Sequence, residues 1–254
     1  MIMALMKNEW MKAWYGRKIW VFIVVIAACI LLGTGLTVFL NSLDNGGLTG
    51  SLFLELGFPL LAPIINIYMV IQVSGAIAGE FRSGTAKQLL IRPVSRTKLL
   101  VTKWFSMAVL GILFYLLIAF VLFLINMILF GSNVSWTDGA NTMMSLVAYS
   151  LPSMLFYIML AVLVACLTRS TALTIVITLI PYFFGDIFTI LLNFYEWPKW
   201  VIFTHLDLVN IYYMEETFIQ QPFDYAWQSI LFIGLHGVIF LVLAHIVFKK
   251  RDVL

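Results

Sequence analysis

The chain has 254 residues, of which 63% are hydrophobic and 11% charged, with a mean hydropathy of +1.03. A soluble domain is nearer half apolar and a quarter charged, so a water-soluble globular fold is excluded as the way this surface is hidden. The formal charge of +3 is small, and its meaning lies in where the basic residues fall.

Residues 1–18 place Lys7, Lys12, Arg17 and Lys18 among Trp10, Trp14 and Tyr15, which predicts a helix lying at a membrane surface. Apolar blocks follow at about 19–40, 58–78, 104–130, 143–167, 172–194 and 227–248. Each is about the 20 residues needed to cross ~30 Å of hydrocarbon. The first is too long for a signal-peptide core and lacks a convincing cleavage site, so a retained span is expected. The prediction is an all-α membrane protein, one membrane domain over 1–254 with six transmembrane helices and no room for a separate globular unit. Cys29 and Cys166 lie inside apolar blocks, where cysteine behaves as a small hydrophobe.

The connectors alternate in charge. Arg82, Lys87, Arg92, Arg96, Lys98 and Lys103 share one side with Arg169, Lys249, Lys250, Arg251 and the N-terminal basic residues. The other side holds Lys199 among Asp44, Glu55, Asp138, Glu196, Asp207, Glu215, Glu216 and Asp224. Cytoplasmic connectors carry the excess of lysine and arginine. This pattern predicts a multi-pass protein of the cell membrane with both termini cytoplasmic and an even number of crossings. The connector from Tyr195 to Ala226 holds Trp197, Trp200, Phe203, Tyr212 and Tyr213. It is too apolar for a solvated loop and predicts one or two short helices, interfacial or re-entrant on the outer side.

The connector from Gly79 to Lys103 reads as a short amphipathic helix, a turn at Pro93, and Ser95 capping the helix that enters the third span. Two readings stand beside each other: a docking element for a cytoplasmic partner, or a basic loop that only sets topology. Glu80, Gly84-Thr85, Leu89-Leu90, Pro93-Val94-Ser95-Arg96 and Lys103 resemble the cytoplasmic loop of ABC transporter permeases of the type-2 exporter class. The likeness extends to the surface N-terminal helix, six spans, the structured outer segment and the ending Phe248-Lys249-Lys250-Arg251-Asp252.

That resemblance implies a subunit without catalysis of its own. Each permease pairs with an identical or related permease, and each binds one cytoplasmic ATP-binding subunit, two per complex, which holds the ATP and Mg. Glu80, Arg82, Gly84, Thr85, Leu89, Leu90, Pro93 and Arg96 then form the ATPase-coupling element. The implied activity is outward movement of an amphipathic or hydrophobic cargo, such as an antimicrobial or toxic peptide, a drug or a lipid. No G-x-x-x-x-G-K-[ST] phosphate loop occurs; Gly79 to Gly84 has the glycine spacing but continues Thr85-Ala86, without the lysine that reaches phosphate. No resident cofactor, metal or nucleic-acid partner is expected.

Two other classes of function compete with this one. An intramembrane aspartyl protease would use Gly185-Asp186, but Phe183 stands where its first glycine belongs and no second spanning aspartate completes a dyad. No zinc motif or nucleophile elbow occurs either. An ion-coupled transporter or channel needs ionisable groups at membrane depth, and Asn66, Gln72, Asn126, Asp186, Asn193, His236 and His245 are a sparse set that also suits hydrogen bonds between helices. Asp186 and His236 fall at similar depths, about 12 and 14 Å below the outer boundary at 1.5 Å per residue. One expectation is that they pair; the other is that Asp186 caps a break after Pro181 or faces a hydrated conduit. Gly75 with Gly79, and Ala161 with Ala165, have the spacing of close helix approach.

Overall fold

The computed structural model describes residues 2–43, 48–82, 95–131, 135–192, 195, 197–214 and 220–250, and within them every side chain except those of Ile2, Ala4, Arg82, Arg96 and Asp186. Among these residues all regular structure is helical. A chain in lipid must satisfy its backbone donors and acceptors internally, and helices do so span by span. The surface helix α1 covers Ile2–Tyr15 and is followed by α2 (Arg17–Leu43), α3 (Gly50–Arg82), α4 (Arg96–Phe130), α5 (Trp136–Thr168) and α6 (Thr171–Leu192). Three short pieces, Trp197–Trp200, Ile202–His205 and the π-helical turn Val209–Tyr213, precede α7 (Ala226–Lys250).

Five helices, α2, α3, α4, α5 and α7, are long and apolar enough to cross a bilayer. Helix α6 has 22 residues, with its described apolar stretch at Thr171–Gly185. The helices overrun the apolar blocks, because the blocks mark hydrocarbon depth whereas a helix runs on to its cap. Thus α3 starts at Gly50 and contains Glu55, and α5 starts at Trp136 with Asp138 in its first turn. Ser95 caps α4 by accepting from the Lys98 N–H at 3.4 Å, and Ser135 caps α5 by accepting from the Thr137 N–H at 3.2 Å.

Helices α3 and α5 form the centre, with 61% and 56% of their most apolar windows buried, against 17% each for α2 and α7. Leu54, Phe58, Ile65 and Met69 of α3 pack with Leu146, Met154, Ile158 and Ala161 of α5 and with Tyr115 of α4 in one core. Facing outward are Leu31, Leu32, Leu36, Phe120, Leu191, Leu231 and Leu235, all more than half exposed. A continuous apolar exterior of this kind is covered by lipid, and the protein is a multi-pass membrane protein.

Close packing falls at other glycines than the spacing indicates. Ala161 and Ala165 are fully buried, as expected, but a Cβ at Gly79 would sit 3.7 Å from Thr171, an ordinary contact. At Gly111 of α4 it would lie 2.7 Å from Met154 Sδ, and at Gly237 of α7 it would collide with Met159 Sδ. A methionine from α5 fills the missing volume in both cases, so the tight approach is between a glycine and a flexible thioether.

Two further expectations change. The segment before α7 has three short helical pieces rather than one or two, and its Leu206, Leu208, Val209 and Ile211 are buried. Helix α6 continues through Pro181 to Leu192, so no helix break follows Pro181 for Asp186 to cap. In lipid a proline is tolerated inside a helix because neighbours re-satisfy the freed carbonyl.

Candidate functional site

Helix α1 carries Glu9 and Lys12 at i and i+3, which places both on one face. That face meets the end of α3 at Glu80 and the second turn of α4 at Lys103. Lys12 Nζ lies 3.1 Å from Glu9 Oε1 and 2.9 Å from Glu80 Oε1, and Lys103 Nζ lies 3.3 and 2.8 Å from the same two atoms. Each ammonium bridges both carboxylates, and two positive charges balance two negative ones. Lys103 is 4% exposed and Glu9 6%, so this is largely a buried ion cluster.

A lysine has three donors, and Lys103 uses them on Glu9, Glu80 and the Ala76 carbonyl at 2.8 Å. The cluster therefore meets the requirement that buried charge be paired and hydrogen-bonded. Lys12 is half exposed. Burial by itself lowers its pKa, but the hydrogen bond to Glu80 and the charges of Glu9 and Glu80 outweigh it and raise the pKa above the ordinary lysine value. Trp10 Nε1–H adds a bond to the Ser106 carbonyl at 3.1 Å, fixing α1 along α4.

Phe81, next to Glu80, is gripped from the other side. The Arg169 guanidinium sits 5.1 Å from the centre of its ring, and Phe248 of α7 packs edge-on at 5.8 Å. Arg169 adopts a left-handed backbone conformation (φ 53°, ψ 16°) where α5 ends, its N–H returning to the Ala165 carbonyl. Both ends of the connector between α3 and α4 are thus anchored: Glu80 and Phe81 before it, Ser95 and Lys103 after it.

Of the residues the sequence assigns to coupling, Glu80 stands in the ion cluster. Arg82 closes α3 and Arg96 opens α4, with their side chains outside the description. Gly84, Thr85, Leu89, Leu90 and Pro93 lie outside the described residues. Asp186 lies on α6 with its side chain likewise outside, and His236 of α7 bonds through Nδ1 to the Phe232 carbonyl at 2.9 Å and packs its ring on Phe232. Sequence reasoning missed Glu9. Its signal is a lone acid three residues before Lys12, directly preceding Trp10 in a segment that favours an interface.

At the opposite end of the bundle His205, fully buried, was also missed. Its Nε2–H donates to the Lys199 carbonyl at 2.8 Å, and its Nδ1 meets Ser229 Oγ of α7 at 2.9 Å. Since a carbonyl only accepts, Nε2 carries the proton and Nδ1 of the neutral ring accepts from Ser229. The Tyr212 hydroxyl reaches both Ser229 Oγ at 2.8 Å and the Phe223 carbonyl at 2.9 Å. Phe223 and Phe232 flank the imidazole at 4.7 and 4.6 Å. Burial lowers the His205 pKa first of all; the Lys199 carbonyl opposes this, and His236 adds to it.

Between these ends a cavity of about 340 Å³ opens among α3, α4, α5, α6 and the turn at Asp207–Asn210. Within its wall Tyr115 O–H donates to Asn66 Oδ1 at 2.8 Å, and Asn66 Nδ2 reaches the Tyr182 hydroxyl at 3.4 Å. Asn66 therefore joins three helices, in line with the expectation that it serves hydrogen bonds between helices.

Residues 20–254 match a family model described as a protein of unknown function, DUF2705. Two relatives come from Bacillus subtilis (strain 168). The uncharacterized protein YhcI is 26% identical over 206 residues, covering 75% of this chain and 65% of YhcI. The uncharacterized membrane protein YdbK is 25% identical over 207 residues, covering 78% of this chain and 83% of YdbK. The chain thus spans just under two thirds of the first relative and most of the second.

Proposed function

This chain belongs to the DUF2705 family, and we propose that it is the membrane-spanning permease subunit of an ATP-driven exporter of the ABC type-2 class. The reading takes α6 as a sixth span, since its 22 residues reach ~33 Å at 1.5 Å per residue. It places both termini and the connector between α3 and α4 on the cytoplasmic side, by the lysine and arginine distribution. A separate ATP-binding subunit docks on the element of Glu80, Arg82, Gly84, Thr85, Leu89, Leu90, Pro93 and Arg96, two such subunits serving a pair of permeases. The cargo moved outward is amphipathic or hydrophobic.

The observation that carries the reading is the neutral four-charge cluster of Glu9, Lys12, Glu80 and Lys103. A connector that only set topology would not need a rigid base. Here its two ends are locked to each other and to α1, so a displacement of the connector moves α3 and α4 as one body. That is the mechanical property a coupling element needs, because force from a soluble motor must reach the spans rather than bend the loop.

Mild-detergent purification of the tagged chain from its native host tests this. The expected result is an ATP-hydrolysing subunit retained in near-equal amount, and its loss with Thr85→Trp combined with Leu89→Arg while the chain still inserts. Absence of any ATP-binding subunit from the wild-type preparation, or full retention by the variant, overturns the assignment.

A further inference from the structure

We infer that the cavity bounded by Asn66, Tyr115, Tyr149, Tyr157, Tyr182 and Asp207 binds a small organic cation carrying a tertiary or quaternary ammonium group. The inference concerns binding alone and stands independently of the exporter reading.

Charge comes first. Among the described residues lining the cavity, Asp207 is the one acid, and there is no lysine, arginine or histidine. Asp207 Oδ1 accepts from the Asn210 N–H at 3.2 Å and its other oxygen from the Asn210 side-chain amide; among the described residues no cation pairs with it. A half-buried carboxylate at the wall of a membrane cavity is costly unless opposed by positive charge. The field in this space therefore favours a cation and repels an anion.

The walls select which cation. Four tyrosines and Phe183 line the space, and Tyr157 and Tyr182 meet edge to face at 4.8 Å and 75°, which turns two ring planes almost at right angles. Aromatic rings attract a diffuse, weakly hydrated ammonium through their quadrupole. A hard metal ion is poorly served, since calcium or magnesium takes six or more oxygen ligands, several of them charged. Among the described residues no group of three His, Cys, Asp or Glu is placed to hold a metal. Size sets the upper limit: 340 Å³ lies at the small end of the roughly 300–1,000 Å³ range of small-molecule pockets, enough for one compact cation and too little for a folded peptide.

The experiment is equilibrium dialysis of radiolabelled choline against the purified full chain in nanodiscs. 3,3-Dimethyl-1-butanol, which has the shape of choline without the charge, serves as competitor. Saturable choline binding that the alcohol displaces at least tenfold less well than unlabelled choline is expected. Asp207→Asn keeps an acceptor for the Asn210 N–H and should weaken binding by about tenfold or more. Tyr157→Leu should weaken it several-fold and Tyr157→Phe should not, because the ring face rather than the hydroxyl makes the contact. Thermal melts establish that each variant is folded; should Asp207→Asn fail this check, the leucine–phenylalanine comparison decides. No saturable binding, equal displacement by the alcohol, unchanged binding in folded Asp207→Asn, or equal loss in Tyr157→Leu and Tyr157→Phe overturns the inference.

Discussion

At the Glu80 end of the bundle a helix outside the spans is held by two ammonium groups crossed between two carboxylates. At the His205 end, a short helical segment is held to α7 by neutral hydrogen bonds and flanking phenyl rings. Both devices bury polar atoms, and both satisfy them. The difference lies in failure. A charged cluster is costly when one partner is removed, because the remaining charges stay buried. A neutral network loses about one hydrogen bond's worth at a time, and here its histidine can take up a proton.

The largest effect follows from Lys103→Met, which keeps the aliphatic volume and deletes the buried charge. Glu9 and Glu80 would then face each other with only the half-exposed Lys12 between them, at a cost of about 3–5 kcal/mol, the range for breaking a buried pair. Thermal unfolding in detergent should show the strongest destabilisation of any single change discussed here. A melting temperature within a degree or two of wild type would mean the two ends of the molecule are held by comparable forces, and the contrast would fail.

That contrast was only half legible in the sequence. Five of the six expected spans were, because lipid imposes one length and one polarity on every crossing. Glu80 and Lys103 were legible as parts of a motif, but not as partners, since 22 intervening residues give no sign that they meet, and the spacing of Glu9 from Lys12 shows a shared helix face but not what that face meets. His205 was hidden for another reason. It sits in an aromatic-rich connector that reads as interfacial, and only the fold brings Ser229 of α7 beneath it. Asn66 was legible as a group suited to hydrogen bonds between helices, but its partners were not, because Tyr115 and Tyr182 look like any other aromatic residue in a span. Gly111 and Gly237 lack the four-residue spacing that marks Gly75 and Gly79, and their tightness depends on which α5 methionine lies opposite.

A middle-sized effect is expected at the neutral end. His205→Leu leaves the Lys199 carbonyl and Ser229 without their ring partners, at about 1–3 kcal/mol for buried groups left unsatisfied. The pH dependence sharpens the test. The folded-state pKa of His205 is lowered, so the unfolded chain takes up the proton first. The stabilisation is therefore complete above the unfolded value near 6.5 and is lost as pH falls through and below it. Melting temperatures measured from pH 8 to pH 5 should decline for wild type and decline less for His205→Gln, which keeps a donor for the Lys199 carbonyl but does not titrate. Equal slopes in the two proteins would remove the proton-sensitive character from this end.

The smallest effect separates the two lysines of the charged end from each other. Lys12 and Lys103 touch the same two carboxylate oxygens, but the side chain of Lys12 is 48% exposed and that of Lys103 5%. Water and salt already screen Lys12, so Lys12→Met should cost about 0–1 kcal/mol, as for an exposed pair. Glu9 and Glu80 keep Lys103, although the cluster's net charge moves from zero to minus one, and the leftover repulsion should be felt most at low ionic strength. Raising salt from 0.01 to 1 M shortens the screening length from about 30 to about 3 Å. The gap in melting temperature between Lys12→Met and wild type should therefore close, while that of Lys103→Met persists because its charges lie inside the protein. If instead Lys12→Met were as damaging as Lys103→Met, and equally insensitive to salt, the exposed lysine would be the one that fastens α1, and the cluster would behave as a single cooperative unit in which burial makes no difference.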